Sequence, residues 1–352
     1  MAAMSKGPFS FVHQRYSLPS FPSPFLKDCA MAPGSVELLV LIPFPPHELA
    51  RLEAVFKVTY APTPEQRAAA IAAKGPDFRA VLTHGTAGMT AAEMDAMPKL
   101  EMISCFGVGY DRIDVQAAIA RRIIVTHGPG TNTISVADHT LALMLAAIRR
   151  IASQDHAVRQ GQWHEARHST PELTGMRLGL IGYGSIAREV ARRCEAGFSM
   201  TVGYHSRRKA TDTAHTYYET PLALAEASDV LVVAAPANPQ TRHMVNEAVL
   251  TALGPNGYLI NIARGSLVDT DALIAALNAG RIAGAGLDVV DGEPVVPAAL
   301  LQAPNLVITP HSAGRSPNAE DNMTTLALRN LNAHFAGRPV ETPVPECAKA
   351  AA

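Results

Sequence analysis

The chain is poor in the features that would commit it to several large classes of protein. It has four cysteines in 352 residues, Cys29, Cys105, Cys194 and Cys347, widely separated and without a C-x-x-C pair. Neither a disulfide framework nor a thiolate zinc site is indicated, and a reducing cytoplasm is the expected compartment. Charge of one sign is also missing: 30 basic residues stand against 31 acidic ones, a formal net charge of −1. The attraction that draws proteins to nucleic acid or to anionic membrane is therefore absent, and neither partner is expected. No apolar run is long enough to span a bilayer, and tryptophan occurs once, at Trp163, read as a packing residue. What remains, 48% hydrophobic and 17% charged, is the composition of a soluble globular protein large enough for two well-packed units.

Residues 1–34 are rich in Pro, Ser and Phe without helical or strand period, and they lack the apolar core of a signal peptide. A disordered tail is expected there, with Met31 as an alternative start. From residue 36 the pattern becomes regular. Short apolar runs at 36–42, 56–60, 80–84, 101–107 and 123–128 alternate with helix-like stretches. A second series follows at 177–182, 200–205, 229–236, 257–263, 283–290 and 305–311. Runs apolar on both faces, each separated by a helix, predict two parallel sheets covered on both sides, hence an α/β fold with two Rossmann- or flavodoxin-like units. Between them "ISVADHTLALMLAAIRRI" (134–151) predicts a helix buried all round. Near the end, Met323, Ala327, Leu331 and Phe335 recur at helical spacing, predicting a helix that returns to the first unit.

Chemistry enters at "GLIGYGSIAREV". Gly182, Gly184 and Ala187 carry the G-x-G-x-x-G/A spacing between an apolar strand and a helix. Gly182 permits the tight turn, Gly184 lets a pyrophosphate approach the backbone, and Tyr183, Ser185 and Ile186 complete the loop at the start of the helix. An NAD enzyme places an acid at the end of the next strand, against the ribose hydroxyls. Here the sequence reads "GYHSRRKA", so Ser206, Arg207 and Arg208 occupy that place, and guanidinium groups there suit a 2′-phosphate. NADP(H), preferred over NAD(H), is the expected cofactor. Three further segments follow predicted strands of the same sheet: "NIARGSLVD" with Ala263 and Arg264, "GLDVVDGEP" with Asp288 and Glu293, and "TPHSAG" with His311. An arginine, a carboxylate and a histidine converging at a carboxyl sheet edge are what reduction of a 2-oxo acid needs: an anion clamp, a proton donor and an acid that keeps the donor charged.

These segments, together with "FGVGYDRID" (106–114), "VADHTLALMLAAIRRI" and "GQW" (161–163), resemble in order and spacing the D-isomer-specific 2-hydroxyacid dehydrogenases, especially their NADPH-linked glyoxylate, hydroxypyruvate and hydroxyphenylpyruvate reductase branch. The similarity runs from about Val36 to Pro345. It implies a homodimer whose cofactor unit (133–316) is inserted into a substrate unit (35–132 and 317–345), with 346–352 as a tail. It further implies that Arg264 binds the substrate carboxylate, that His311 protonates the carbonyl oxygen and that Glu293 hydrogen-bonds the imidazole. In the same way the backbone of Val108 and Gly109 corresponds to the carboxylate loop, Asp288 to the partner of the nicotinamide amide, and Pro236 and Thr241 to the adenosine side. Expected substrates are glyoxylate and hydroxypyruvate, then hydroxyphenylpyruvate and 2-ketogluconate, with Phe44, Met89 and Tyr110 suggesting an apolar wall. The alternative from another class is a non-catalytic, dinucleotide-sensing regulator, since such relatives keep the same three residues. His164-Glu165-Ala166-Arg167-His168 matches H-E-x-x-H, but Gly161 upstream and Pro171 downstream leave no sustained amphipathic helix, so no metal is expected.

Overall fold

The computed structural model describes residues 34–350. The expected leading tail, Met31 and Cys29 lie outside the described residues, apart from Gly34, whose amide donates to the Val55 carbonyl. The first sheet contains β1 (Glu37–Val40), β2 (Lys57–Tyr60), β3 (Ala80–Thr83), β4 (Met102–Cys105) and β5 (Ile124–Thr126), in the order β2-β1-β3-β4-β5. The second contains β6 (Arg177–Ile181), β7 (Thr201–His205), β8 (Thr216–Tyr217), β9 (Val230–Val233), β10 (Tyr258–Asn261), β11 (Gly284–Leu287) and β12 (Leu306–Ile308), in the order β12-β11-β10-β9-β6-β7-β8. All pairs within both sheets are parallel.

Strand alternation builds the core on both faces of each sheet. Leu178, Leu180, Val230 and Val232 pack on one face of the second sheet, and Ile181, Leu231, Val233 and Leu259 on the other. In the first sheet Leu39, Val81 and Ile103 face one layer, whereas Leu38, Val40, Leu82 and Met102 face the other. The helix Pro317–Phe335 packs on this second layer through Ala327 and Leu331.

Three sequence readings need correction. The helix over 134–151 forms as Thr133–Ile148, but it is not buried all round: Ile134 is 58% exposed, and Asp138 and Ala142, one turn apart, also face outward. Trp163 is not a packing residue, since it is 60% exposed. Of the expected tail, the described residues 346–350 are not a tail but belong to a short helix, Pro345–Ala350. The H-E-x-x-H segment folds as turns beyond the helix Ile151–Arg159, with Gly161 at φ +79°, so His164 and His168 share no helical face. No group of three His, Cys, Asp or Glu arranged to hold a metal occurs among the described residues, and no helix there is long and apolar enough to cross a membrane.

Candidate active site

In an open parallel sheet a ligand crevice forms beyond the carboxyl ends of the strands, where the strand order reverses. The first sheet reverses between β1 and β3, and the second between β6 and β9. Both points open on one cleft of ≈ 1850 Å³ lined by residues of both sheets.

The β6 turn is built for a dinucleotide. Gly182 has φ +92°, and a Cβ there would stand 2.7 Å from the Ala235 amide nitrogen, so only glycine fits. Gly184 caps the helix Ser185–Phe198 without a side chain, and a Cβ built on it would meet nothing within 4 Å. That open space lies at the end of a 14-residue helix whose first amides and dipole favour an anion. The residues present therefore fit a pyrophosphate. Beyond β7, Arg207 lines the cleft, and neither Arg207 nor Arg208 forms an ion pair with a described residue.

The catalytic candidates are fixed from strand ends. After β10, Asn261 accepts from the Ala263 amide at 3.1 Å and donates to the Arg264 carbonyl at 2.9 Å, setting the turn that presents Arg264. Gly265 must be glycine, because a Cβ would lie 2.0 Å from backbone atoms of Val290 and Asp291. Arg264 donates through Nη1 to the Ala263 carbonyl and through Nε to Asp111 Oδ2, each at 2.7 Å. Its Nη2 lies against Gly109, where a Cβ would come within 1.7 Å. The amides of Val108 and Gly109 donate to no described residue, which leaves them free for a carboxylate beside the guanidinium.

After β12, His311 adopts φ +52°, with its amide held by the Asp288 carbonyl at 2.8 Å. Its Nδ1 stands 2.5 Å from Glu293 Oε1. Burial pushes the Glu293 carboxyl up, but the hydrogen bond and charge of His311, the Val290 amide and Arg264 prevail and hold it below the usual carboxylate range. With Glu293 on Nδ1, Nε2 is the ring nitrogen left for exchange with a ligand in the cleft.

Several sequence-derived candidates are buried or engaged elsewhere rather than open to the cleft. The Asp288 side chain borders the cleft but is only 1% exposed; it accepts from Thr309 Oγ1 and from the Ser312 and Ala313 amides, bracing the His311 turn. Thr241 does not line the cleft: it is buried and donates to the Pro236 carbonyl at 3.0 Å, holding the loop that presents Pro236. Tyr183 stacks on Tyr204 at 4.1 Å with its hydroxyl on His215, and Ser206 closes its own turn onto the Arg208 carbonyl. Ser185, Ile186, Ala263, Val108 and Gly109 do line it. The apolar wall differs in part: Tyr110 lines the cleft as expected, but Met89 is fully buried and Phe44 packs on Phe106 at 4.8 Å, and Phe106, Pro43 and Met323 take their place.

Two contributors were not singled out in the sequence. Asp111 sits inside the quoted "FGVGYDRID", but its pairing with an arginine 153 positions away has no local signal. Glu346, in the C-terminal helix, accepts from the Tyr110 hydroxyl at 3.1 Å and brings that helix to the mouth of the cleft.

Known proteins resemble the chain in sequence and fold. Residues 141–313 match the D-isomer specific 2-hydroxyacid dehydrogenase NAD binding domain. The chain is 41% identical to hydroxyphenylpyruvate reductase of Plectranthus scutellarioides, over 88% of this chain and 99% of that protein. It is 39% identical to glyoxylate/hydroxypyruvate reductase A HPR2 of Arabidopsis thaliana, with the same shares covered, 88% and 99%. The crystal structure of the NADPH-dependent glyoxylate/hydroxypyruvate reductase SmGhrB from Sinorhizobium meliloti, in complex with NADP and malonate, is similar with a TM-score of 0.79 and 38% identity, over 89% of this chain and 97% of that one. Two parallel-sheet units, a glycine-turned helix start and identity of this order along nearly the whole length place the chain in the D-isomer-specific 2-hydroxyacid dehydrogenase family, as an oxidoreductase.

Proposed function

We propose that the chain reduces a small 2-oxo acid to the D-2-hydroxy acid with NADPH. The observation that carries this reading is the meeting, in one cleft, of Arg264, the free Val108 and Gly109 amides, and a His311–Glu293 pair 2.5 Å apart. When bound, NADPH supplies the hydride. Arg264 and the two amides hold the substrate carboxylate and orient the oxo carbon for attack. His311 donates its Nε2 proton to the carbonyl oxygen as charge develops there, and Glu293 stabilises the protonated ring.

Gly182, Gly184, Ser185 and Ile186 are assigned to the pyrophosphate turn, with Tyr183 packed beneath it. Arg207, assisted by Ser206 and Arg208, takes the 2′-phosphate and gives NADPH its preference over NADH. Pro236, held by Thr241, serves the adenosine side, while Ala263 and Asp288 serve the nicotinamide side. The cofactor unit is read as 133–316 and the substrate unit as 35–132 with 317–345. Glyoxylate and hydroxypyruvate rank first as substrates, ahead of hydroxyphenylpyruvate and 2-ketogluconate; similar proteins are named as reductases of each of these, which supports the set and not the order.

A homodimer in the cytoplasm completes the reading. Ile151, Val158 and Trp163 are 52%, 41% and 60% exposed along a helix and turn that bury nothing of their own, a surface suited to a second copy. Light scattering after gel filtration checks this, a monomer counting against it. The test of function is NADPH and NADH oxidation against glyoxylate, hydroxypyruvate, 4-hydroxyphenylpyruvate, 2-ketogluconate and pyruvate, beside the His311→Ala variant. Turnover that collapses in the variant supports the reductase. Tight cofactor binding without any turnover would replace it by the dinucleotide-sensing regulator.

A further inference from the structure

One half-buried histidine of the cleft has no part in the steps above. His84 directly follows β3, at the carboxyl edge of the first sheet where its strand order reverses. Its ring is locked in place. The Ala87 amide donates to Nδ1 at 2.9 Å, and the Thr86 hydroxyl lies 2.9 Å from the same atom. A backbone N–H can only donate, so Nδ1 offers its lone pair and the neutral ring carries its proton on Nε2. The turn around it is pinned by the Gly88 amide on the His84 carbonyl, 2.9 Å, and by Thr83 Oγ1 on the Gly88 carbonyl, 3.0 Å. Gly85 packs so tightly on the loop of Val108 and Gly109 that a Cβ would come within 2.2 Å of the Gly109 carbonyl. Burial, opposed by the residue's own carbonyl and aided by the smaller effects of Arg315, His311 and Arg264, pushes the imidazole down to about 4. The ring is thus a neutral donor with one defined edge, and its Nε2 meets no acceptor among the described residues.

In the steps above Arg264 and the two amides take the carboxylate, and His311 takes the carbonyl oxygen. The substituent at C3 is left, and a neutral donor suits a neutral oxygen there. We propose that His84 selects the substrate, its fixed Nε2–H donating to a hydroxyl on C3, so that 3-hydroxy-2-oxo acids such as hydroxypyruvate are preferred over pyruvate. The inference rests on the reductase reading above.

The test compares kcat/KM for hydroxypyruvate and for pyruvate in the wild type, His84→Asn and His84→Leu. Asparagine keeps an acceptor for the Ala87 amide but its amide stops short of the Nε2 position; leucine removes both acceptor and donor. The hydroxypyruvate-to-pyruvate ratio is expected to fall about tenfold in both variants, the scale of one neutral hydrogen bond. An unchanged ratio in both variants overturns the proposal. So does an equal loss on both substrates confined to His84→Leu, which would mark a residue that only holds its loop. Absence of wild-type turnover on every 2-oxo acid with NADPH would be a different result, overturning the reductase reading itself.

Discussion

Nε of Arg264 and Oδ2 of Asp111 stand 2.7 Å apart, joining an arginine carried by the second sheet to an acid carried by the first. This pair spans the cleft and fixes the plane of the guanidinium, leaving Nη2 and one Nη1 hydrogen for substrate. Asp111→Ala is expected to lower kcat/KM by about ten- to a hundredfold, because a clamp turned out of plane misplaces the oxo carbon. Asp111→Asn keeps an oxygen for Nε and is expected to lose less. Steady-state kinetics decide it, and equal activity in the wild type and the alanine variant would remove Asp111 from the site.

The His311–Glu293 pair gives a graded prediction. His311→Ala is expected to cost about 10²- to 10⁴-fold in kcat, the usual worth of a positioned proton donor. Glu293→Gln keeps a hydrogen-bonding oxygen near Nδ1 but loses the negative charge, so a smaller loss, roughly tenfold, is expected. Retained cofactor binding, measured by fluorescence, separates these losses from unfolding.

Arg207 and Arg208 are adjacent in sequence but not equivalent, since only Arg207 lines the cleft. Arg207→Ala is expected to reduce kcat/KM with NADPH by about tenfold or more with little effect on NADH, and Arg208→Ala to do less. Cofactor titrations of both variants read the difference. Equal effects on NADPH and NADH would show that Arg207 does not hold the 2′-phosphate.

His84 also predicts a pH dependence of stability. Its folded value, about 4, lies below the ordinary 6.5, so as pH falls the unfolded chain binds the proton first. The stabilisation is complete above about pH 6.5 and is lost as pH falls toward 4, a cost of about 3 kcal/mol. Between pH 6.5 and 4.5 the wild type should lose melting temperature faster than His84→Asn; parallel curves would refute this.

Most strands were legible because they are apolar runs buried on both faces; β2 and β12 are less buried but keep the same spacing, and all but the two-residue β8 could be read from residues alone. Gly182, Gly184, Arg264, Glu293 and His311 were legible for another reason: each sits at a strand end, where position relative to the sheet follows from chain order. Asp111, Glu346 and the wall at Phe106 were not, because their partners are set by how two separate sheets face each other. The same limit explains Trp163 and the stripe of Ile134, Asp138 and Ala142. Periodicity marks a side chain as apolar, but it does not say whether the chain's own core has room for it.

Gly109 gives the cleft a threshold. Its backbone is not in a conformation reserved for glycine, yet a single methyl there would stand 1.7 Å from Arg264 Nη2. Gly109→Ala is therefore expected to fold and to take up the dinucleotide while displacing the guanidinium that turnover requires, which nucleotide titration beside an activity assay would show. On that expectation a single carbon atom separates turnover from cofactor binding alone, with no change of architecture.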